Sequence, residues 1–214
     1  MNGTNFITIG YNFLRLSINS IEEMNKQGNK TMIFMNGDLS DEDSDLEFNE
    51  RTKWNDQNIG IPILFNFFHG IELIIKGLII HCGGELGSNN HKLTYLLEKL
   101  KNMPNAPSEQ LLDHFKNVLM KNGLDDFFQE NNKTVDSFYI LFKYPEHNNG
   151  KSIKYFQIRG KQEQGLIRFN TIKSLAEKKN RTNKMENWCL TLAKPECRFK
   201  LRFIVQTEQN YYFL

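Results

Sequence analysis

The chain has 214 residues, of which 39% are hydrophobic and 12% aromatic, with 17 Phe; that suffices for a real core and excludes a disordered composition. Its formal net charge is only +2, but residues 1–100 carry 8 Lys+Arg against 13 Asp+Glu and residues 101–214 carry 19 against 12. This asymmetry points to an anionic partner for the second half, or to attraction between the two halves. Three cysteines, Cys82, Cys189 and Cys197, lie far apart with no CxxC pair, and the five His show no zinc-ligand spacing. A disulfide scaffold and a structural zinc are therefore not expected, and a reduced, cytoplasmic setting is.

The first predicted element is a helix over Thr4–Lys26, where Phe6, Phe13, Leu14, Ile18 and Ile21 recur at helical spacing and Gly28 supplies the stop. No basic leader with an apolar stretch precedes it, so no signal peptide is expected. Thr31–Met35 is a short apolar run, followed by Asn36-Gly37, that reads as a possible strand. Residues 38–50 hold seven acidic side chains in thirteen and read as a solvated loop. Asp41, Asp43 and Asp45 resemble the start of a calcium loop, but no Gly stands at its sixth position and Thr52 replaces the Glu at its twelfth.

Ile61–Leu100 is the centre of the chain. Pro62 fits the first turn of a helix, and Leu64–Ile80 is apolar nearly all round, which marks a helix buried on most sides. Asn66, His69, Glu72 and Lys76 interrupt it, so it reads as a core helix rather than a membrane span. Gly83, Gly84 and Gly87 end it. Ser88, Asn89 and Asn90 are candidate caps for a second helix, about 90–101, with Leu93, Leu96, Leu97 and Leu100 on one face.

Pro104 and Pro107 then break the chain, and Ser108 opens a helix through about Met120 that Asn122-Gly123 ends, followed by a short helical turn at Asp125–Asn131. After Lys133 the period changes. Phe138–Tyr144 is aromatic and β-branched, residues 145–150 read as a turn, and Ile153–Arg159 alternates, so 138–159 reads as a β-hairpin. Gly165–Phe169 reads as a further strand, Thr171–Asn180 as a helix and Arg198–Gln206 as a last strand. The fold expected is mainly α: a helical bundle with an acidic loop over 1–132, then a small basic α+β extension, 133–214, packed on it.

Within the buried helix, His69, Glu72 and Lys76 fall at i, i+3 and i+7 and share a face. A Glu–Lys pair on an apolar helix costs desolvation, so it is either a satisfied seam between helices or the wall of a cleft. His91, at the start of the next helix, is held neutral by the positive helix end, ready to move a proton or simply to bond the adjacent loop. Lys76 and His91 are expected to be the closer pair, in reach of one phosphate.

The run F-x-H-G-I-E-L-x-x-K-G-L at 67–78, the Gly-rich turn, and H-K-L-x-x-L-L at 91–97 resemble HEPN domains. These are helical bundles of prokaryotic defence and toxin–antitoxin systems, many of them metal-independent ribonucleases and others inactive partners of nucleotidyltransferases. The resemblance covers roughly Thr4–Glu130. It implies a homodimer, no cofactor, and a catalytic group of His91 with Lys76, Glu72 and His69. The family's nuclease signature is an Arg, four to six intervening residues, and then the His. Here Gly84, Glu85 and Leu86 precede His91 at that distance, and no Arg occurs between Arg51 and Arg159.

Residues 133–202 hold 16 Lys+Arg against 6 Asp+Glu, with Tyr139, Tyr144, Tyr155, Phe156 and Trp188 interleaved. Lys143, Tyr144, Lys154, Arg159 and Arg168 are the candidates for single-stranded RNA, by phosphate neutralisation and base stacking; a solvated basic face is the plainer alternative. No G-x-S-x-G, Walker A or G-x-G-x-x-G sequence is present. Two functions are thus expected: an RNA-directed HEPN-like protein with an atypical nuclease site, or a non-catalytic interaction module that binds a protein partner.

Overall fold

The computed structural model describes residues 2–31, 40–88, 91–144, 152–159 and 164–177. Among them are the helices α1 (Gly3–Lys26), α2 (Asp41–Thr52), α3 (Asp56–His81), α4 (Leu93–Lys101), α5 (Glu109–Met120), α6 (Asp125–Glu130), α7 (Phe138–Lys143), α8 (Phe156–Arg159) and α9 (Gln164–Glu177), with a single 3₁₀ turn at Val135–Ser137. The protein is mainly helical, and no strand is present among the described residues.

α3 is the axis of the fold. Asn55 caps it by accepting from the Asn58 N–H at 2.9 Å, and Leu64, Phe67, Phe68, Ile75 and Ile79 are fully buried along it. Leu73 is only half-buried, so even this helix keeps one flank near solvent. By length and composition the stretch Asp41–His81 contains a window able to cross a bilayer, and 72% of that window is buried inside the protein.

α1 runs antiparallel to α3 at unusually close range, because small residues face each other every seventh position. A Cβ built on Gly10 would lie 2.7 Å from the Gly70 carbonyl oxygen, and one on Gly70 would lie 2.7 Å from that of Gly10. Gly3 and Gly77 oppose each other in the same way, at 2.7 and 2.6 Å. At the next step Ser17 donates its hydroxyl to the Ile63 carbonyl at 3.1 Å. Backbone meets backbone along this seam, with no room for side chains between.

The far side of α3 receives a cluster of aromatic rings. Phe68 lies 5.7 Å from Phe138 and 5.9 Å from Phe142, and Phe142 stacks on Phe127 at 5.5 Å. One core joins these to Ile153, Ile158, Phe169 and Ile172 from the later helices. The Tyr155 hydroxyl donates to the Leu141 and Tyr144 carbonyls at 2.6 and 2.7 Å, closing the end of α7. Asn122 closes α5, donating to the Val118 and Leu119 carbonyls while accepting from the Leu124 N–H.

Several expectations are corrected. The acidic stretch is helix α2 from Asp41 onward: Ser40 accepts from the Asp43 N–H at 3.2 Å, and Asp41, Glu42 and Asp43 sit in the first turn, where negative charge favours a helix. Glu47 and Arg51 add an i, i+4 pair at 2.6 Å. Pro62 lies inside α3 rather than in its first turn. It removes the bond to the Asn58 carbonyl, but Asn58 and Pro62 are both exposed, so water can serve that group.

The expected β-hairpin and the strand at Gly165–Phe169 are absent. Phe138, Leu141 and Phe142 fall at i, i+3 and i+4, and all three are buried on one face of α7. Ile153–Arg159 turns into α8, and Gly165–Phe169 begins α9, whose later part coincides with the helix expected from Thr171. The expected turn at 145–150, most of the run at 31–35, Trp188, Cys189, Cys197 and the strand at 198–206 lie outside the described residues.

Candidate functional site

Where α3 passes the start of α4, its polar stripe meets residues from two other parts of the chain. Glu72 is fully buried. Lys76, one turn on, donates its ammonium to Glu72 Oε1, and His91 Nδ1 lies 3.0 Å from the same oxygen. His69 Nδ1 stands 3.5 Å from Oε2, close enough for charge interaction but longer than a hydrogen bond. Burial pushes the Glu72 carboxyl up, yet the contacts with His69 and Lys76 and the positive charge of Lys76 outweigh it, leaving the group below the usual carboxylate value of 4.5.

The four residues expected from sequence therefore meet, with Glu72 as their common partner. They do not contribute equally. The Lys76 side chain is 7% exposed and committed to Glu72, whereas the His91 side chain is 56% exposed. A carboxylate at Nδ1 requires the proton on that nitrogen, so neutral His91 presents Nε2 as an acceptor.

His91 is held from its other side as well. It lies two residues before α4 and is not part of it, which corrects the expected helix start. Lys92 is the cap residue and makes no side-chain cap bond. The cap comes instead from Asp136 of the 3₁₀ turn: Oδ1 accepts from the Thr94 N–H at 2.8 Å, and Oδ2 accepts from the Thr94 hydroxyl. This bond draws the start of α7 against α4 and brings the Tyr139 ring to 5.1 Å from His91.

Aromatic rings surround the cluster. His69 meets the edge of Phe13 at 4.8 Å and stacks on Phe65 at 5.5 Å, and Phe65 lies 6.0 Å from Tyr139. Outside Tyr139 sits exposed Lys143, whose Nζ bonds the Tyr139 hydroxyl at 2.9 Å and stands 5.3 Å from the Tyr144 ring centre. Hydrogen bonds to Tyr139 and then Tyr144 raise its pKa above the ordinary 10.5, so it is charged at neutral pH.

The remaining RNA candidates have partners elsewhere. Lys154 pairs with Glu130 at 2.9 Å. Arg159 Nε is 3.9 Å from buried Asp56. Arg168 pairs with Asp126 and donates to the Ile158 carbonyl at 3.0 Å. Of these acids only Asp56 belongs to the acidic first hundred residues; a further cation of the second half, Lys173, reaches Glu22 of the first at 2.8 Å.

Sequence reasoning missed Asp136, whose partner Thr94 is 42 residues away with no periodicity to connect them. Phe65 was within reach, since it precedes His69 by one turn of the same helix. Among the described residues no group of three His, Cys, Asp or Glu is placed to hold a metal ion. No family model, curated protein or solved structure matches this chain.

Proposed function

We propose that this protein binds single-stranded RNA and handles it at His91, in the manner of the HEPN-like proteins it resembles. The observation that carries this reading is the contact between His91 and Glu72. A buried carboxylate fixes one ring nitrogen, its charge is balanced by Lys76, and the other nitrogen is left at the surface. That arrangement suits a group that moves protons. In cleavage of the kind the family performs, the ribose 2′ oxygen bonds to the adjacent phosphorus as its proton passes to Nε2. The bond from phosphorus to the 5′ oxygen breaks, and the leaving oxygen takes a proton from water. The signature Arg would stabilise the charge that builds on the phosphate, so its absence from 84–86 lowers the expected rate. By the same resemblance the setting is prokaryotic defence or a toxin–antitoxin pair, in the cytoplasm.

The test is incubation of the pure protein with labelled single-stranded RNA, followed on a gel. Cleavage lost in His91→Ala supports the enzymatic reading. Binding without cleavage supports a degenerate site. Neither cleavage nor binding at low salt overturns the proposal.

A second reading, an interaction module, is favoured by α1. Ile9 and Leu16, seven residues apart on one side of that helix, are 50% and 51% exposed. The partner of such a module is a nucleotidyltransferase or effector, and the resemblance adds a second copy of the chain, the partner this face is tested for. Sedimentation of the wild type and of Ile9→Asp/Leu16→Asp tests that face: a dimer that the substitutions dissociate supports self-association through α1, and a wild-type monomer sinks it.

A further inference from the structure

The Glu72 cluster cannot lend its own cation to a ligand. Lys76 is almost wholly enclosed and balances a carboxylate with no exposure at all. Drawing its ammonium outward would strand that charge in the interior. A phosphate resting at His91 therefore needs a cation from elsewhere, and the signature Arg is missing from positions 84–86.

Lys143 has the required placement. It and His91 lie against the same ring, that of Tyr139: the imidazole centre is 5.1 Å from the ring centre, and the ammonium is 2.9 Å from the hydroxyl. Its partners differ from those of the other basic candidates. Lys154, Arg159 and Arg168 each face a carboxylate. Lys143 contacts phenol hydroxyls and ring faces, at 4.7 and 5.3 Å from the Tyr139 and Tyr144 centres, and these orient its charge without neutralising it. An ammonium carries three N–H donors, so one bond to Tyr139 leaves others for a ligand oxygen. Tyr144, 48% exposed, presents the adjoining ring to solvent.

We propose that Lys143, Tyr139 and Tyr144 form a nucleotide subsite beside His91, in which the Lys143 ammonium takes a backbone phosphate of single-stranded RNA and the Tyr144 ring receives the neighbouring base. The subsite rests on the RNA reading of His91 and names the part of the substrate each group holds. Lys143 supplies the charge that the absent Arg would have supplied, from the opposite direction in the chain. Tyr139 is a positioning residue: it orients the ammonium through its hydroxyl and supports the imidazole through its face.

The experiment is fluorescence anisotropy of a labelled ten-nucleotide oligouridylate with the full chain across a series of salt concentrations. Each phosphate neutralised on a single strand contributes about 0.7 to the slope of log affinity against log salt. Lys143→Gln should lower affinity and reduce the slope by about that amount, while Lys143→Arg keeps both. Tyr144→Ala should weaken binding about tenfold through lost stacking, and Tyr144→Phe should not. Lys154→Gln, which removes an ion-paired lysine, should leave the slope unchanged. All three side chains replaced are at the surface, so melting temperatures should stay at the wild-type value. Wild-type binding that is indifferent to Lys143→Gln, or equally sensitive to Lys154→Gln, overturns the subsite and leaves the RNA reading standing. A wild type that does not bind the oligonucleotide at low salt overturns both.

Discussion

His91 and Glu72 stand nineteen residues apart in the chain and 3.0 Å apart in space, one exposed and the other sealed inside. Removing their neighbours should therefore have unequal effects. Lys76→Met leaves the Glu72 charge buried without its ammonium and should cost about 3–5 kcal/mol in urea unfolding. His91→Ala removes a half-exposed partner and should shift stability by less than about 1 kcal/mol. The double variant Glu72→Gln/Lys76→Met should lose less than the sum of its single variants, since the two groups share one interaction. Additive losses would show that the pair is not the unit it looks to be.

The same carboxylate sets an acid limb. Its pKa is lower in the folded protein than in the unfolded chain, so the unfolded state binds the proton more readily. The stabilisation is complete above the ordinary value of 4.5 and is lost as pH falls through the lower folded value. Melting temperature measured from pH 7 down to pH 3 should fall steeply at the acid end, and Glu72→Gln should flatten that fall. A parallel decline in both proteins would assign the acid limb to other carboxylates.

Asp136 should act as a helix cap supplied from a distance. Asp136→Ala is expected to cost about 1 kcal/mol, the usual worth of a lost cap. Thr94 offers both a backbone and a hydroxyl donor to this carboxylate, so Thr94→Ala, which keeps the backbone donor, should incur only part of that cost. Because the cap also draws Tyr139 to His91, Asp136→Ala should weaken RNA binding more than its distance from the site suggests. Unchanged binding alongside reduced stability would confine Asp136 to the fold.

At the seam of α1 and α3, Gly10→Ala and Gly70→Ala each place a methyl against the opposite backbone. Alanine is the better helix former by about 1 kcal/mol, so intrinsic preference alone would stabilise both variants. The contact at 2.7 Å reverses the sign, because a carbonyl oxygen on a packed helix cannot step aside. Each variant should lose about 1–3 kcal/mol in chemical denaturation, as overpacked cores do.

Much of the bundle could be read in the chain before folding. α1, α3 and α5 announce themselves by apolar stripes, and the spacing of His69, Glu72 and Lys76 places them on one face. α2 was hidden because seven acids in thirteen residues look like a solvated loop, while the Ser40 cap and the helix dipole reward that charge at a helix start. α7 was hidden because aromatic content suggests a strand. The spacing of Phe138, Leu141 and Phe142 was the better guide. Tyr139 and Asp136 became part of the site only through contacts 42 and more residues away, which no local pattern encodes.

The glycine seam has a consequence for how the chain tolerates change in length. Each step of seven along α1, from Gly3 to Gly10 to Ser17, matches a step of seven back along α3, from Gly77 to Gly70 to Ile63. One residue added or removed inside either interval would rotate everything beyond it by about 100° and carry the later small residues off the seam. The seam itself sets no length for the connection between the two helices, because it fixes only the register within each of them. Insertions and deletions should therefore be excluded from 3–17 and 63–77. A distant cousin of this protein would be recognised by these two intervals of fixed length rather than by the identity of its residues.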